Sequence, residues 1–384
     1  MTRRRLRLGM VGGGAGSFIG GVHRMAARLD DHYTLVAGAL SSDPDRARQS
    51  AAALHIEPDR AYVDYETMAA AEAARPDRID VVSVVTPNDS HAAICSAFLT
   101  HGIPVICDKP LCTSMQDARS LADLVSETEL PFVLTHNYTG YPLVREARAR
   151  VLAGELGTIR VVQVEYPQEW LAEAIEETGQ KQAAWRTDPA RSGPAGSVGD
   201  IGTHAHQLAA FVTGLRLESV AADLSTFVPG RRLDDDARML LRYNGGARGM
   251  LWCSQVAPGF ENGLRLRVMG DKGGLDWLQA EPNVLHLSQL GQPTRRLTRG
   301  MPDLSDWAKR ATRIPAGHPE GYLEAFAQIY TDASALLWRW LEGTPPSADE
   351  ALLPGIQDGL RNVAFIEAVI ASHRADAAWT RLEL

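Results

Sequence analysis

Two segments of the sequence hold side chains whose types and spacing suit proton transfer to or from a hydroxyl group. In one of them, Asp200 and His204 lie four residues apart within Gly199–His206. If this segment opens a helix, both side chains lie on one face, where the carboxylate can orient the imidazole and support its protonated form. An imidazole held in this way is a suitable base for the oxidation of a secondary alcohol. The alternative interpretation is a helix cap beside a structural histidine.

The other segment is Asp108-Lys109-Pro110, which follows a short apolar run. Thr86-Pro87-Asn88 follows an earlier apolar run in the same way. In an open parallel sheet, ligands bind beyond the carboxyl ends of the strands, so we expect both segments to face one crevice. A lysine is usually a solvated surface group, but this position favours a positioned ammonium group at Lys109.

A glycine cluster follows the first apolar run and precedes an amphipathic segment. It reads Gly12-Gly13-Gly14-Ala15-Gly16-Ser17-Phe18-Ile19-Gly20. At such a position, backbone N–H groups at a helix N-terminus can bind a pyrophosphate. A strict G-x-G-x-x-G pattern needs a third glycine where the chain has Ser17, so we expect Gly20 to serve in a longer loop. A tight turn without a ligand is the alternative interpretation.

The residues after the second apolar run should select between NAD and NADP. Ser41 occupies the position where an acidic side chain would bind the ribose 2′-hydroxyl group. Asp43 and Asp45 would repel a 2′-phosphate, whereas Arg46 would attract one. We predict NAD, with NADP as the alternative. Asp43 followed by proline is also a typical helix N-cap.

The elements that position these segments differ between the two halves of the chain. In the first half, short apolar runs alternate with helical patterns, which is typical of a doubly wound parallel sheet. The predicted strands are Leu6–Val11, Thr34–Leu40, Val82–Val85, Pro104–Cys107 and Phe132–Thr135, and helices are predicted at Pro44–Leu54 and Ser114–Val125.

After Tyr141, the strands alternate apolar and polar residues, as half-buried antiparallel strands do. Asn244-Gly245-Gly246 is predicted to form the tip of a hairpin, and a helix is predicted from Tyr322 to Gly343. The segment 169–195 is polar and poorly periodic, so we expect a long functional loop there. The apolar positions that indicate the two clearest strands are Val162, Val164 and Tyr166, and Leu264, Leu266 and Val268.

Composition limits the class of protein. The chain has 384 residues, of which 45% are hydrophobic and 22% charged, as expected of a globular protein with two or three domains. The formal net charge of −8 argues against a general nucleic-acid binder. No apolar run reaches the roughly 18 residues that a membrane span needs. We therefore predict neither nucleic acid nor a membrane as a partner.

Metal binding and disulfides are also not expected. His206 lies two residues beyond His204 and therefore about 200° further round a helix, which argues against a zinc site on this pair. The four cysteines form no Cys-x-x-Cys pair, so we expect reduced, buried thiols in a cytoplasmic protein. These cysteines are Cys95, Cys107, Cys112 and Cys253.

Together, these segments resemble the Gfo/Idh/MocA oxidoreductases, the family of glucose–fructose oxidoreductase and inositol dehydrogenase. The matching segments, in the family's order and over essentially the whole chain, are Gly12–Gly20 with His23, Thr86–Asn88 with His91, Asp108–Pro110 and Gly199–His204. The resemblance implies an α/β protein with an N-terminal Rossmann domain, residues 1–136. It also implies a C-terminal α/β domain, residues 137–384, with a large open, mostly antiparallel sheet. Because that sheet commonly forms a subunit interface, a homodimer or homotetramer is implied.

The resemblance also implies roles for individual residues. The family's catalytic lysine falls on Lys109, and its Asp/His pair falls on Asp200 and His204. The family's Glu-Lys-Pro is shortened here by one methylene group at Asp108, and Gln207 replaces an aspartate often found after the catalytic histidine. The implied cofactor-binding residues are Gly12, Gly14, Ala15, Gly16, Ser17, Phe18, Ile19, Ser41, Ser42, Arg46, Thr86, Pro87, Asn88, His91, Asp108 and Lys109.

Trp185 and Arg186 resemble the family's Trp-Arg segment before the Asp/His pair. An aromatic face beside hydrogen-bond donors suits a sugar or cyclitol ring. No arginine cluster marks a sugar-phosphate pocket, which favours an uncharged polyol or monosaccharide. The expected substrate-binding residues are Lys109, Asn137, Tyr166, Gln168, Trp185, Arg186, Asp200, His204 and His318.

The resemblance therefore implies an NAD(P)-dependent oxidoreductase. We expect hydride transfer between the nicotinamide and a ring secondary alcohol of an inositol or monosaccharide, such as scyllo-inositol, myo-inositol or L-glucose. An NAD-dependent glycosidase or a glycoside 3-oxidising enzyme is the first alternative. A non-catalytic sugar sensor is the second, although the presence of Lys109, Asp200 and His204 together argues against it.

Overall fold

The structure, a computed structural model, describes residues 3–384 as two units. Unit 1 contains the chain up to Asn137 together with Leu323–Leu360. Unit 2 contains Tyr138–Tyr322 together with Arg361–Leu384. The predicted domains, 1–136 and 137–384, are continuous, whereas in the structure residues 323–360 belong to unit 1. Met1 and Thr2, which begin the predicted first domain, lie outside the described residues.

Strands and helices alternate in unit 1, whereas unit 2 collects its strands into one large sheet. The strands, in chain order, are β1 (Leu6–Gly12), β2 (Tyr33–Ala39), β3 (Val81–Val85), β4 (Val105–Cys107), β5 (Phe132–Leu134), β6 (Ile159–Pro167), β7 (Leu217–Ser225), β8 (Asp236–Tyr243), β9 (Arg248–Ser254), β10 (Arg265–Gly270), β11 (Gly273–Leu278), β12 (Val284–Gln289), β13 (Arg295–Thr298) and β14 (Thr380–Arg381). The α-helices are α1 (Phe18–Leu29), α2 (Pro44–Ala53), α3 (Tyr65–Ala74), α4 (His91–Thr100), α5 (Met115–Thr128), α6 (Pro142–Leu152), α7 (Lys181–Arg186), α8 (Pro189–Ser192), α9 (Thr203–Thr213), α10 (Asp306–Arg310), α11 (Tyr322–Glu342) and α12 (Ile356–Arg374).

Five parallel strands form the sheet of unit 1, in the order β2-β1-β3-β4-β5. Every residue of β3 is buried, as expected of a parallel sheet that is covered on both faces. Each predicted strand is present, with its ends displaced by at most one residue. The predicted doubly wound sheet is therefore confirmed. The strand order reverses between β1 and β3, and ligands bind at such a switch point, beyond the carboxyl ends of the strands.

Helix α11 completes unit 1 from the far end of the chain. Its apolar side chains recur at helical spacing, and Phe326 and Tyr330 are buried. The ring of Phe326 contacts His23 of α1 edge-on, with ring centroids 4.7 Å apart. The Tyr33 hydroxyl group donates a hydrogen bond to the carbonyl oxygen of Tyr330 (2.8 Å). The predicted helix is confirmed, and these contacts explain why it belongs to unit 1.

Nine strands form the sheet of unit 2, in the order β13-β12-β11-β10-β6-β9-β8-β7-β14. All neighbouring pairs are antiparallel except β6 and β9, so the expected open, mostly antiparallel sheet is confirmed. The inward positions of β6 and β10 are buried, and helix α9 packs against both strands. The opposite face of the sheet carries no helix among the contacts of the described residues and remains open.

Two predictions about connections had different outcomes. Asn244–Gly246 does join β8 to β9, and Gly245 and Gly246 adopt positive φ values of 72° and 88°. The segment 169–195 is not the long loop that was predicted, because it contains a 3₁₀ turn at Ile175–Thr178 followed by α7 and α8. No helix within residues 3–384 combines the length and apolar character needed to cross a membrane.

Candidate active site

The glycine loop joins β1 to α1 in unit 1. Gly12, Gly13 and Gly16 have φ values of 78°, 74° and 80°, which residues with a side chain rarely adopt. A Cβ atom on Gly20 would lie 2.3 Å from the Cα atom of Gly13, so only glycine lets α1 approach the loop this closely. Gly20 thus occupies the helix-packing role of the third glycine in a dinucleotide-binding loop.

Two of the predicted cofactor-binding residues are engaged with protein atoms through their backbones. The N–H group of Gly14 donates to the carbonyl oxygen of Leu40 (3.1 Å), and that of Ala15 donates to Oγ of Ser50 (3.1 Å). These hydrogen bonds fasten the loop to the segment after β2 and to α2. Gly14 and Ala15 therefore shape the loop, and their N–H groups do not face a ligand.

The end of the loop fits a phosphate group. A Cβ atom on Gly16 would meet no other atom within 4 Å, so its backbone is open to a ligand. Oγ of Ser17 accepts a hydrogen bond from the N–H group of Gly20 (3.2 Å) and caps α1. Phe18 is exposed, and Ile19 packs against the core of unit 1. An anion here would lie at the positive end of α1, so this loop fits the pyrophosphate of a dinucleotide.

The segment after β2 places the residues predicted to select the cofactor. Asp43 caps α2 by accepting a hydrogen bond from the N–H group of Arg46 (2.9 Å). This hydrogen bond is the main cause that lowers the pKa of Asp43 below its usual value. Ser41 is half-buried, and its Oγ accepts from the N–H group of Asp43 (3.1 Å), whereas Ser42 and Arg46 are exposed.

The turn Thr86–Asn88 follows β3 and lies beside the glycine loop. A Cβ atom on Gly12 would lie 2.8 Å from Cγ2 of Thr86. His91 is fully buried, with Nε2 2.9 Å from the carbonyl oxygen of Thr86 and Nδ1 2.8 Å from that of Pro110. Because both ring nitrogens face protein carbonyl groups, the predicted direct contact of His91 with a cofactor is not supported. His91 instead connects the turns that follow β3 and β4.

Asp108 follows β4 and belongs to a buried polar cluster. Its Oδ1 atom accepts a hydrogen bond from Thr135 (2.8 Å) and lies 3.5 Å from Nε2 of His23. The other ring nitrogen of His23 lies 2.8 Å from the hydroxyl group of Tyr330. Burial raises the pKa of Asp108, but His23 and the charge of Lys109 outweigh it and lower the pKa to about 2. The carboxylate of Asp108, one of the predicted cofactor-binding residues, is thus held by protein groups, and it lies next in the chain to the half-buried Lys109.

In unit 2, the Asp/His pair was predicted to lie in one regular helix, but the structure divides it between two elements. Asp200 belongs to a π-helical turn, Val198–Gly202, and His204 follows in the first turn of α9. The N–H group of Thr203 bonds to the carbonyl oxygen of Val198, five residues earlier. π-Helical turns inside helices frequently occur at functional sites. The extra residue in this turn changes the angle between the two side chains from the value that a regular α-helix gives.

The Asp200 carboxylate is held by one hydrogen bond and one ion pair from other elements. Nε2 of Gln255 donates to Oδ2 of Asp200 (2.9 Å), and Nε of Arg186 lies 3.3 Å from the same atom. Gln255 follows the last residue of β9, and Arg186 ends α7. These contacts fix the carboxylate in the orientation it needs to act on a neighbouring group.

Aromatic rings surround His204. The ring of Tyr138 lies perpendicular to the imidazole with centroids 4.9 Å apart, and the ring of Tyr166 lies 6.3 Å away. The hydroxyl groups of Tyr138 and Tyr166 are hydrogen-bonded to each other. Burial is the main cause that raises the pKa of both tyrosines, so they remain neutral donors and acceptors.

A row of side-chain amides extends from the predicted residue Gln168. Gln168 donates to Asn262 (2.7 Å), and Asn262 donates to Gln279 (2.8 Å). Gln279 in turn lies 3.3 Å from the hydroxyl group of Tyr141. Amide groups both donate and accept hydrogen bonds, which matches the chemistry of vicinal hydroxyl groups.

Trp185 and Arg186 lie on one short helix, α7. The Arg186 guanidinium carbon lies 4.4 Å from the ring centroid of Trp185 and 5.9 Å from that of Trp170. Arg186 also donates to Oε1 of Gln182 (2.6 Å). Because Arg186 contacts Asp200 as well, the structure brings the predicted Trp-Arg segment to the Asp/His pair.

Asn137 and His318 are the remaining predicted substrate-binding residues. Asn137 is buried at the end of the first segment of unit 1. His318 is exposed on the loop before α11, where its carbonyl oxygen accepts a hydrogen bond from Arg299. No described contact joins the His318 side chain to the Asp/His pair, so the structure does not support its predicted role.

His206 has a structural role, in agreement with its predicted exclusion from the site. Its Nδ1 atom lies 2.7 Å from Oδ1 of Asn362, and its ring stacks on Phe365. Burial lowers the pKa of His206 to about 4, so the ring is neutral near pH 7.

Sequence reasoning missed Gln255, Asn262 and Gln279. None belongs to a recognisable motif, and each lies after a strand or in the connection next to one. The one usable signal was a polar residue directly after a strand that alternates apolar and polar side chains. The site therefore includes amide groups that only the folded sheet reveals.

Comparison with known proteins identifies the class of both halves. Residues 6–148 match the family described as "Oxidoreductase family, NAD-binding Rossmann fold", and residues 144–276 match the "GFO/IDH/MocA C-terminal domain". An uncharacterized oxidoreductase YfiI of Bacillus subtilis is 32% identical, over 98% of this chain and 97% of its own.

Two solved structures are similar along their whole length. An oxidoreductase from Sinorhizobium meliloti is 48% identical with a TM-score of 0.88, covering 98% of this chain and 99% of that one. An inositol dehydrogenase homolog from Azotobacter vinelandii, complexed with NADH and myo-inositol, is 36% identical with a TM-score of 0.90. That comparison covers 98% of both chains.

Proposed function

Because this chain belongs to the Gfo/Idh/MocA family of NAD(P)-dependent oxidoreductases, we propose that it oxidises a ring secondary alcohol of an inositol or an uncharged monosaccharide. One observation carries the proposal. The catalytic candidates Asp200 and His204 share one region of unit 2 with a row of amides and two tyrosine hydroxyl groups. The similarity to the inositol dehydrogenase homolog that binds NADH and myo-inositol supports the same substrate class.

The substrate region is rich in neutral hydrogen-bonding groups. The amides of Gln168, Asn262 and Gln279 can each donate and accept, as the hydroxyl groups of a polyol require. The guanidinium group of Arg186, which contacts Asp200, is already paired with that carboxylate and stacked on Trp185. An anionic sugar phosphate would therefore have to compete with Asp200 for Arg186, which favours an uncharged ring.

The proposed chemistry gives each catalytic candidate one role. His204 accepts the proton of the substrate hydroxyl group, and Asp200, held by Gln255 and Arg186, stabilises the imidazolium ion that results. The ammonium group of Lys109 stabilises negative charge that develops on a substrate oxygen. When bound at the glycine loop, the nicotinamide cofactor supplies the hydride acceptor.

The cofactor segment supports a preference for NAD over NADP. Asp43 stays ionised because its pKa is lowered, and the exposed carboxylate of Asp45 lies nearby in the chain. Both charges would repel a 2′-phosphate. Arg48 pairs with Asp45 (2.5 Å), whereas Arg46 offers the one competing attraction in this segment.

The proposed function is tested by following reduced nicotinamide absorbance with a panel of inositols, hexoses and glycosides. We expect turnover of at least one inositol or free hexose, with kcat/KM for NAD exceeding that for NADP by about tenfold, which corresponds to about 1.4 kcal/mol. In Arg46→Ala, kcat/KM should fall with NADP and stay unchanged with NAD.

Failure on every ring polyol with both cofactors would contradict the proposed substrate class. Release of a sugar from a glycoside without net formation of reduced cofactor would instead indicate the NAD-dependent glycosidase. A protein that binds a sugar and never turns it over would indicate the sensor.

We further propose that the open face of the unit 2 sheet binds a second copy of this chain. The face encloses a concave region of about 690 Å³ and carries Leu240, Met250 and Trp252. Leu240 and Met250 are exposed, each near one half of its full surface. Pairs of opposite charge, such as Arg267 with Glu165 (3.3 Å), stand among these apolar side chains and give the face both apolar and charge complementarity. The family resemblance described above implies the same use of this sheet.

Light scattering after size-exclusion chromatography should show a dimer or tetramer for the wild-type protein. Leu240→Glu combined with Met250→Glu should shift the protein to monomers, because it buries four charges at a twofold interface. Leu290→Glu is the matched control, since Leu290 is highly exposed but follows β12, away from this cluster. A monomeric wild type, or an equal effect of Leu290→Glu, would contradict the proposed interface.

A further inference from the structure

Two adjacent aspartates, Asp234 and Asp235, precede β8 and are both buried. We propose that Asp234 is a positioning residue, which holds the start of the π-helical turn and thereby sets the placement of Asp200 and His204. The proposal rests on the proposed function, because it concerns the same Asp/His pair. It assigns a role to a side chain that contacts neither of these residues in any described hydrogen bond.

The Asp234 carboxylate receives three hydrogen bonds from consecutive residues of one turn. Oδ1 accepts from the N–H group of Gly196 (2.7 Å). Oδ2 accepts from the N–H group of Val198 (2.9 Å) and from the hydroxyl group of Ser197 (2.7 Å). Burial raises the pKa of Asp234, and these donated hydrogen bonds oppose that rise. The carboxylate therefore satisfies the N–H groups that a helix leaves free at its start.

The backbone of Asp234 holds the same turn from a second direction. Its carbonyl oxygen accepts a hydrogen bond from the N–H group of Ser197 (2.8 Å). A Cβ atom on Gly196 would lie 2.1 Å from that carbonyl oxygen, so the two backbones are in the closest contact that glycine allows. The start of the turn is therefore attached to the segment before β8 through both the backbone and the side chain of Asp234.

Backbone hydrogen bonds connect the start of the turn to Asp200 and to the residue before His204. The N–H group of Asp200 donates to the carbonyl oxygen of Gly196 (2.9 Å). The N–H group of Thr203, which directly precedes His204, bonds to the carbonyl oxygen of Val198. Gly196 and Val198, whose N–H groups bond to the Asp234 carboxylate, thus accept through their carbonyl oxygens one α-type hydrogen bond from Asp200 and one π-type hydrogen bond from Thr203.

Strand β9 supports the turn from a neighbouring position. A Cβ atom on Gly202 would lie 3.1 Å from Sγ of the buried Cys253. Gln255, which holds the Asp200 carboxylate, donates its own N–H group to the carbonyl oxygen of Asp235 (2.8 Å). The backbone of Asp235 therefore holds Gln255, and the side chain of Gln255 orients the Asp200 carboxylate.

Asp235 offers a control of the same chemical kind. It is as buried as Asp234, and its carboxylate also accepts two backbone N–H groups and one side-chain donor. Those donors are Phe227 (2.8 Å), Val228 (3.0 Å) and Arg231 (3.3 Å), which lie in the connection between β7 and β8. A substitution that exchanges a carboxylate for an amide thus disturbs three accepted hydrogen bonds at each position, and at Asp235 it also removes the charge that pairs with the buried Arg231.

The test compares Asp234→Asn with Asp235→Asn. We expect Asp234→Asn to lower kcat by about 10-fold to 100-fold, because misplacing catalytic groups by about 1 Å has effects of this size. The KM for NAD should stay within about twofold, since unit 1 is unchanged. Asp235→Asn should lose at least as much thermal stability, because it also breaks a buried ion pair, and it should keep kcat within about twofold of the wild type. An unchanged kcat in Asp234→Asn, or an equal loss of kcat in both variants, would overturn the proposal.

Hydrogen exchange supplies a readout that does not depend on turnover. In Asp234→Asn, amide exchange should accelerate in residues 196–206, and in Asp235→Asn it should accelerate in residues 225–231. If the wild type oxidises no polyol, the proposed function fails, but the exchange comparison still tests the positioning role of Asp234. Equal amide exchange of residues 196–206 in Asp234→Asn and the wild type would overturn that role. If Asp234→Asn does not fold, Ser197→Ala replaces it, because this substitution removes only one donor to the Asp234 carboxylate. Ser197→Ala should accelerate amide exchange in residues 196–206 and lower kcat by about 2-fold to 5-fold. Unchanged exchange together with unchanged kcat would also overturn the proposal.

Discussion

His204→Asn should lower kcat by about 10²-fold to 10⁴-fold, which is the usual contribution of a general base. Asparagine keeps the approximate shape and one polar contact but cannot accept the substrate proton near neutral pH. Lys109→Met should have a comparable effect, because it removes the ammonium group that stabilises charge on the substrate oxygen. Both variants should bind NADH with a Kd close to the wild-type value, as measured by nicotinamide fluorescence.

The chain offers matched controls for both substitutions. His206 lies on the same helix as His204 and is similarly buried, but it bonds to Asn362 and stacks on Phe365. His206→Asn should therefore reduce thermal stability and leave kcat within a few-fold of the wild type. Lys309 is an exposed lysine of α10, and Lys309→Met should leave kinetics unchanged. Near-normal kcat in both His204→Asn and Lys109→Met would remove the basis for the assigned catalytic roles.

The sheet of unit 1 could be predicted from the sequence because its signal is local. Each strand is a short apolar run followed by a turn residue. A strand that is buried on both faces needs apolar side chains at every position, so a continuous apolar run indicates it directly. The hairpin at Asn244–Gly246 has a similarly local signal. Its two glycines mark the turn in the sequence, because they adopt the positive φ values that the turn requires. Features that depend on a few neighbouring residues were therefore recovered almost to the residue.

Features set by long-range contacts could not be predicted. The helical pattern of α11 indicates that it has a buried face, but only the contacts of Phe326 and Tyr330 with His23 place it in unit 1. The short helices α7 and α8 have too few residues to show periodicity. Arg231 anchors the segment before them by pairing with Glu176 (2.8 Å) and with the carbonyl oxygen of Leu171 (2.8 Å), and such contacts leave no pattern in the sequence.

The candidate site shows the same division. Spacing and position after a predicted strand made Asp200, His204 and Lys109 candidates, because each stands in a glycine-rich or proline-containing segment next to a predicted element. The π-helical turn depends on Asp234, which is 34 residues further along the chain than Asp200 and holds the start of the turn. The position of His91 between two carbonyl groups could not be predicted for the same reason, since only the folded turns bring those groups onto its ring.

Gly20→Ala should abolish tight NAD binding, whereas Gly21→Ala should not. A Cβ atom on Gly20 would lie 2.3 Å from Cα and 2.8 Å from the carbonyl oxygen of Gly13, and both are backbone atoms that no side-chain rotation can move. Helix α1 must therefore shift away from the loop, and the N–H groups at its start move with it. On Gly21, one residue further in the same helix, a Cβ atom would meet no atom within 4 Å. Alanine there should stabilise α1 by about 0.5–1 kcal/mol.

Thermal unfolding with and without NAD separates these effects. A ligand at 100 times its Kd stabilises the folded protein by about 2.7 kcal/mol, so the wild type and Gly21→Ala should show a clear rise in Tm with NAD. Gly20→Ala should unfold at a lower temperature without NAD, and it should lose the NAD-dependent rise if its Kd increases by about 100-fold. Comparable NAD-dependent rises in the two alanine variants would mean that the contact between α1 and the glycine loop does not build the cofactor site. Since the two glycines are adjacent, share one helix and receive the same methyl group, the comparison isolates that contact from any general effect of alanine on α1.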